Sequence, residues 1–77
     1  MNNAKIARIL QNVLSEVLGS ATVRVEHDAE GPFHATVVVS YEAGSGIPGF
    51  RFDIEDAADA NLIVEDPTSV LEYLPFM

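Results

Sequence analysis

Phe33-His34-Ala35-Thr36-Val37-Val38-Val39-Ser40-Tyr41 is the stretch on which the fold turns. In an extended chain Phe33, Ala35, Val37, Val39 and Tyr41 line one face, and His34, Thr36, Val38 and Ser40 the other. The run Val37-Val38-Val39 is apolar on both faces, the pattern of a strand with neighbours on both sides. A middle strand of three is therefore expected here. Its neighbours follow on either side in sequence. Ala21, Val23 and Val25 alternate with Thr22, Arg24 and Glu26, and Phe50, Phe52 and Ile54 alternate with Arg51, Asp53 and Glu55. Asp28-Ala29-Glu30-Gly31-Pro32 reads as the turn into the middle strand, and the glycine-rich segment 43–49 as the loop out of it.

Upstream, Ile6, Ile9, Leu10, Val13, Leu14, Val17 and Leu18 recur at the spacing of one helical stripe, which predicts an amphipathic helix with that stripe as core. Asn2 or Asn3 suits its N-cap, and Gly19 suits a left-handed residue just past its end. Downstream, 56–60 is expected to open a short helix, with Leu62-Ile63-Val64 as its buried end or as a short fourth strand. Asp66-Pro67 then starts a last helix that buries Val70, Leu71 and Leu74. The expectation is a single α+β domain over 1–77: an N-terminal amphipathic helix packed on a three-stranded antiparallel sheet, with a short C-terminal helix (αβββα-like). One sheet face stays open and carries Arg24, Glu26, Thr36, Val38, Arg51, Asp53 and Glu55.

At 77 residues and 48% hydrophobic composition the chain can bury a core, though a thin one. The absence of cysteine removes disulfides and thiolate zinc as reinforcement and fits a reducing cytoplasm. No apolar run approaches the roughly 18 residues of a membrane span, and the N-terminal segment does not read as a signal peptide, so the expected location is cytoplasmic. Charge is the dominant feature. From Gly19 onward eleven acids face only Arg24 and Arg51, a net of −9 within a chain of −8. Such a surface repels nucleic acid and acidic lipid and attracts basic proteins.

The motifs that suggest chemistry fail in context. Gly44-Ser45-Gly46-Ile47-Pro48-Gly49 matches G-x-G-x-x-G but leads into a strand pattern, whereas the dinucleotide-binding version needs a following helix and the kinase version, which lies between strands, belongs to a domain several times this size. His27 and His34 flank an acidic turn, but pairing Val25 with Ala35 sets His27 opposite Phe33 and turns His34 to the other face. No serine lies in a nucleophile elbow, and every acid falls on a wet face or in a turn. The reading is a protein without catalytic, cofactor or metal residues.

Helix, three strands and helix, with Gly31, Pro32 and His34 in the first interstrand loop, resemble the double-stranded RNA-binding domain, whose Gly-Pro-x-His element sits in that loop. Where that family carries a lysine-rich second helix, this chain has Glu55-Asp56-Ala57-Ala58-Asp59, so the resemblance implies a topology and not RNA binding. In size, acidity and lack of catalytic motifs the chain is also similar to phage-encoded inhibitors of the anti-CRISPR and DNA-mimic kind. That resemblance implies carboxylates standing in for phosphates against a basic nucleic-acid-binding protein or complex, in the cytoplasm of a bacterial host. The candidate partner-binding residues are Asp53, Glu55, Asp56, Asp59, Glu65 and Asp66, with Glu26, Asp28 and Glu30 as a second patch. The competing expectation is a small interaction or assembly module, as a monomer or homodimer, using Val38, Tyr73, Phe76 and Met77. Neither reading involves a membrane or direct contact with nucleic acid.

Overall fold

A computed structural model describes residues 2–73. Helix α1 spans Asn3–Val17, strands β1, β2 and β3 span Thr22–His27, Ala35–Ser40 and Phe50–Ile54, helix α2 spans Ala57–Glu65, and a 3-10 helix spans Pro67–Tyr73. The strands form one antiparallel sheet in the order β1-β2-β3, with β2 in the middle as its two-sided apolar pattern requires. The α+β architecture is the expected one.

The core lies between one sheet face and the helices. Val23, Ala35, Val37, Val39 and Ile54 are buried against Ala7, Leu10, Leu14 and Leu18 of the first helical segment, and Ala60, Ile63 and Val70 close the far side. The buried line of α1 runs through Asn3, Ala7, Leu10 and Leu14, so it is rotated towards Ala7 from the stripe read in the sequence. Ile6, Val13 and Val17 are half-buried on its rim, and Ile9, expected in the core, is 39% exposed. Alanine carries too little hydrophobic signal to mark the true axis.

The end and start of α1 also differ from expectation. Gly19 is not left-handed; the helix ends at Leu18, whose N–H reaches the Leu14 carbonyl, and the chain turns through a bond from the Ala21 N–H to the Leu18 carbonyl. Asn2 is the N-cap, its side-chain oxygen accepting from the Ala4 and Lys5 amides at 2.9 and 3.3 Å. Asn3 has a separate task. Its buried Nδ2 donates to the carbonyls of Asp28 and Gly31 at 3.1 and 3.2 Å, tying the start of α1 to the β1–β2 loop.

The β1–β2 register is two residues away from the pairing expected. Val25 pairs with Val37 and His27 with Ala35, not Val25 with Ala35. Phe33 leaves the strand and is buried in the core, which draws the loop tight and lets the Asp28 amide bond the His34 carbonyl at 3.2 Å. The shift is even, so side-chain faces are unchanged and the two histidines still stand on opposite sides.

Between β2 and β3, Gly44 and Gly46 take positive φ, as a loop requires. Gly49 serves a different need: a Cβ there would lie 2.8 Å from the Val39 carbonyl oxygen, beside the Val39–Phe50 pairing. Gly49→Ala is expected to destabilise the fold by about 1–3 kcal/mol, the usual cost of forcing backbone apart. An unfolding free energy from denaturant titration within a few tenths of a kcal/mol of native would contradict it.

Past β3 the ambiguous segment is one helix. Asp56 caps α2, its Oδ1 accepting from the Asp59 amide at 2.8 Å, and Ala60 and Ile63 are buried while Leu62 is 59% exposed. No fourth strand forms among the described residues. After Pro67 the chain winds as 3-10, with three residues per turn, so Pro67 and Val70 share the inner side and Leu71, expected to be buried, is 36% exposed. Leu74, the other expected core residue there, lies outside the described residues.

Candidate functional site: an acidic end of the sheet

Antiparallel pairing decides where the carboxylates go. β1 ends, β2 begins and β3 ends at the same edge of the molecule. Glu26, Thr36 and Asp53 form one cross-strand row on the open face, and Thr36 Oγ1 donates to Asp53 Oδ1 at 2.9 Å. Asp28 and Glu30 project from the loop just beyond Glu26, and Glu55 and Asp56 follow Asp53. All six of these acids are exposed. Residues from two distant stretches of sequence, read there as separate patches, thus share one end. Across the row Glu26 and Asp53 are two strand spacings apart, about 10 Å, and along each strand the next position on that face is about 7 Å away.

A helix terminus offsets part of the repulsion of such a cluster. The N-terminus of α2 lies at this end, and its dipole favours the carboxylates of Asp56 and Asp59. His34 Nδ1 lies 4.0 Å from Asp28 Oδ2 on the open face.

The remaining candidates are placed differently. Asp59, in the first turn of α2, is half-buried next to the acidic end. Glu65 and Asp66 lie at the other end of that helix, about 13 Å along its axis, and do not join the group. Glu65 accepts from Asn61 Nδ2 at 3.2 Å, and Asp66 Oδ1 accepts from Thr68 Oγ1 at 2.8 Å. Asp59, Leu62, Ile63, Asp66 and Glu72 line a crevice of about 200 Å3.

The open face is not uniformly acidic. Arg24, Val38 and Arg51 form the row next to Glu26, Thr36 and Asp53, and Arg24 Nη2 lies 3.6 Å from Glu26 Oε1. Both cations of the acidic part of the chain therefore border the acidic end. On the helical side, Ile6, Ile9, Ala57, Ala60 and Val64 line an apolar groove of about 330 Å3 between α1 and α2. Its signal was in the sequence as the part of the helical stripe wider than the core needs. Of the apolar contacts expected for an assembly module, Val38 is half-buried between the two arginines; the side chain of Tyr73, with Phe76 and Met77, lies outside the described residues.

Among the described residues no group of three or more histidines and carboxylates is placed to hold a metal ion, and no helix is long and apolar enough to cross a membrane. The glycine-rich loop leads into β3 and not into a helix, so it offers phosphate no row of helix-terminal amides. No protein-family profile, curated protein or solved structure matches the chain.

Proposed function

We propose that this protein is an acidic inhibitor or decoy that binds a basic nucleic-acid-binding protein and covers the surface that would hold phosphates. The observation that carries the reading is the convergence of Glu26, Asp28, Glu30, Asp53, Glu55 and Asp56 at one end of the sheet. Concentrating like charge costs stability in a domain of this size, and the fold does so on a frame of three paired strands and a helix terminus, with Asp53 hydrogen-bonded by Thr36 and Asp56 by the Asp59 amide. Carboxylates grouped on a folded frame can meet Lys and Arg together, and they favour a partner whose cations are spaced to match. Asp59 extends the contact along α2, while Glu65 and Asp66 contribute to the long-range field that steers encounter.

The test is capture of partners on immobilised protein from nuclease-treated bacterial lysate at low and high salt. Retention of basic nucleic-acid-binding proteins at low salt and their release at high salt is the expected result. Partners held equally at both salts would overturn the reading.

A second reading has its own observation. The groove between α1 and α2, with Ile9 exposed at its lip, favours an apolar interaction or assembly module. A partner that resists salt and is lost on Ile9→Ser would move the assignment there.

A further inference from the structure

On a chain so poor in cations, both arginines of the acidic part lie in a single row on the open sheet face, beside a single row of carboxylates. Arg24, Val38 and Arg51 make one row; Glu26, Thr36 and Asp53 make the next. The two rows together carry no net charge, although the second belongs to the acidic end, whose other acids, Asp28, Glu30, Glu55 and Asp56, lie beyond it. Here an equally acidic molecule can approach with the least repulsion.

We propose that this face docks on itself, forming a weak two-fold dimer in which the arginine row of one copy lies over the carboxylate row of the other. The symmetry follows from the row order. A two-fold axis parallel to the rows and midway between them exchanges one row for the other and leaves each strand above its own counterpart. Arg24 then faces Glu26 of the second copy, Arg51 faces Asp53 and Val38 faces Thr36, and every pair occurs twice because such an interface is isologous. An axis along the strands instead sets Arg24 against Arg51 and Glu26 against Asp53, like charge on like. Charge therefore selects one docking geometry and rejects the other.

Area sets the strength. Three strands of about six residues present a face of roughly 14 by 20 Å, so about 600 Å2 is covered in total, half or less of a standard interface. Association belongs at high protein concentration, and the dimer covers Glu26 and Asp53 while leaving Glu30 and Asp56 outside. The inference is independent of the inhibitor reading, since it concerns the rows and not the partner.

Sedimentation equilibrium from about 10 μM to 1 mM tests it, at about 0.15 M salt, where the screening length of about 8 Å damps the repulsion of the whole molecules. The mass is expected to rise from 8.3 kDa towards twice that value. Arg24→Glu with Arg51→Glu, and separately Glu26→Arg with Asp53→Arg, are each expected to abolish the rise, and all four changes together to restore it. The second pair lowers the net charge, so a mere charge effect would strengthen association instead of removing it. A monomer at 1 mM, stronger association of the Glu26→Arg, Asp53→Arg variant, or a dimer indifferent to both reversals would each overturn the proposal.

Discussion

Replacing Glu26, Asp28, Glu30, Asp53, Glu55 and Asp56 together by their amides is expected to weaken binding to the basic partner by about a hundredfold or more. Each exposed ion pair contributes roughly 0.5 kcal/mol, so six lost pairs approach 3 kcal/mol, and every 1.4 kcal/mol is a factor of ten. The formal net charge falls from −8 to −2, one unit for each carboxylate. The fold should tolerate this. Asn caps a helix as well as Asp does, so Asp56→Asn keeps the bond to the Asp59 amide, and relief of like-charge repulsion leaves the melting temperature equal to or above native. A control variant with Glu65→Gln and Asp66→Asn at the far end of α2, and Glu72→Gln in the 3-10 helix, should lose no more than a few-fold. Affinities from calorimetry at fixed salt decide the matter. The control removes three charges where the other removes six, so a loss in the control of half the free energy or more would mean that net charge alone binds the partner, and that the acidic end has no special part.

The second large effect is on the fold. Leu14 is fully buried in the middle of the core, and Leu14→Ala is expected to cost about 2–5 kcal/mol. A domain of this length holds roughly 4–12 kcal/mol in all. The variant should melt roughly 8–40 °C lower, at about 4–8 °C per kcal/mol in a domain of this size, and be partly unfolded at 37 °C. The exposed Ile9, on the same predicted stripe, should lose less than about 1 kcal/mol on the same change. Thermal melts of the two side by side test the rotation of the helix towards Ala7. Equal losses would put the core axis back on the stripe read from the sequence.

Much of this fold is legible in periodicity alone. The two-sided apolar run at Val37-Val38-Val39 names the middle strand, and alternation on both sides names its neighbours. What periodicity does not carry is the exact register. Parity survives a shift of two residues, so the hydrophobic pattern could not choose between Ala35 and Val37 as the partner of Val25; burial of Phe33 and the Asn3 bonds to the loop accompany the observed choice. The segment from Asp56 to Asp66 is ambiguous because a short apolar run reads equally as strand or helix. The cap bond from Asp56 and the burial of Ala60 and Ile63 favour helix. For the candidate site, sequence gives the carboxylates and their two patches, but only the antiparallel order of three strands shows that six of them meet while Glu65 and Asp66 stand apart. The arginine row beside them is likewise a product of register, since Arg24 and Arg51 are 27 positions apart in the chain.

The central claim, that the acidic end occupies a surface meant for phosphates, is tested most directly by competition. A captured partner is purified and its affinity for a nucleic-acid duplex is measured against increasing concentrations of this protein. The account predicts that the apparent Kd for the duplex rises linearly with the protein added, with no ternary complex, and that the six-amide variant needs about a hundredfold higher concentration or more for the same rise. A stable complex of partner, duplex and protein together, with duplex affinity unaltered, would contradict it.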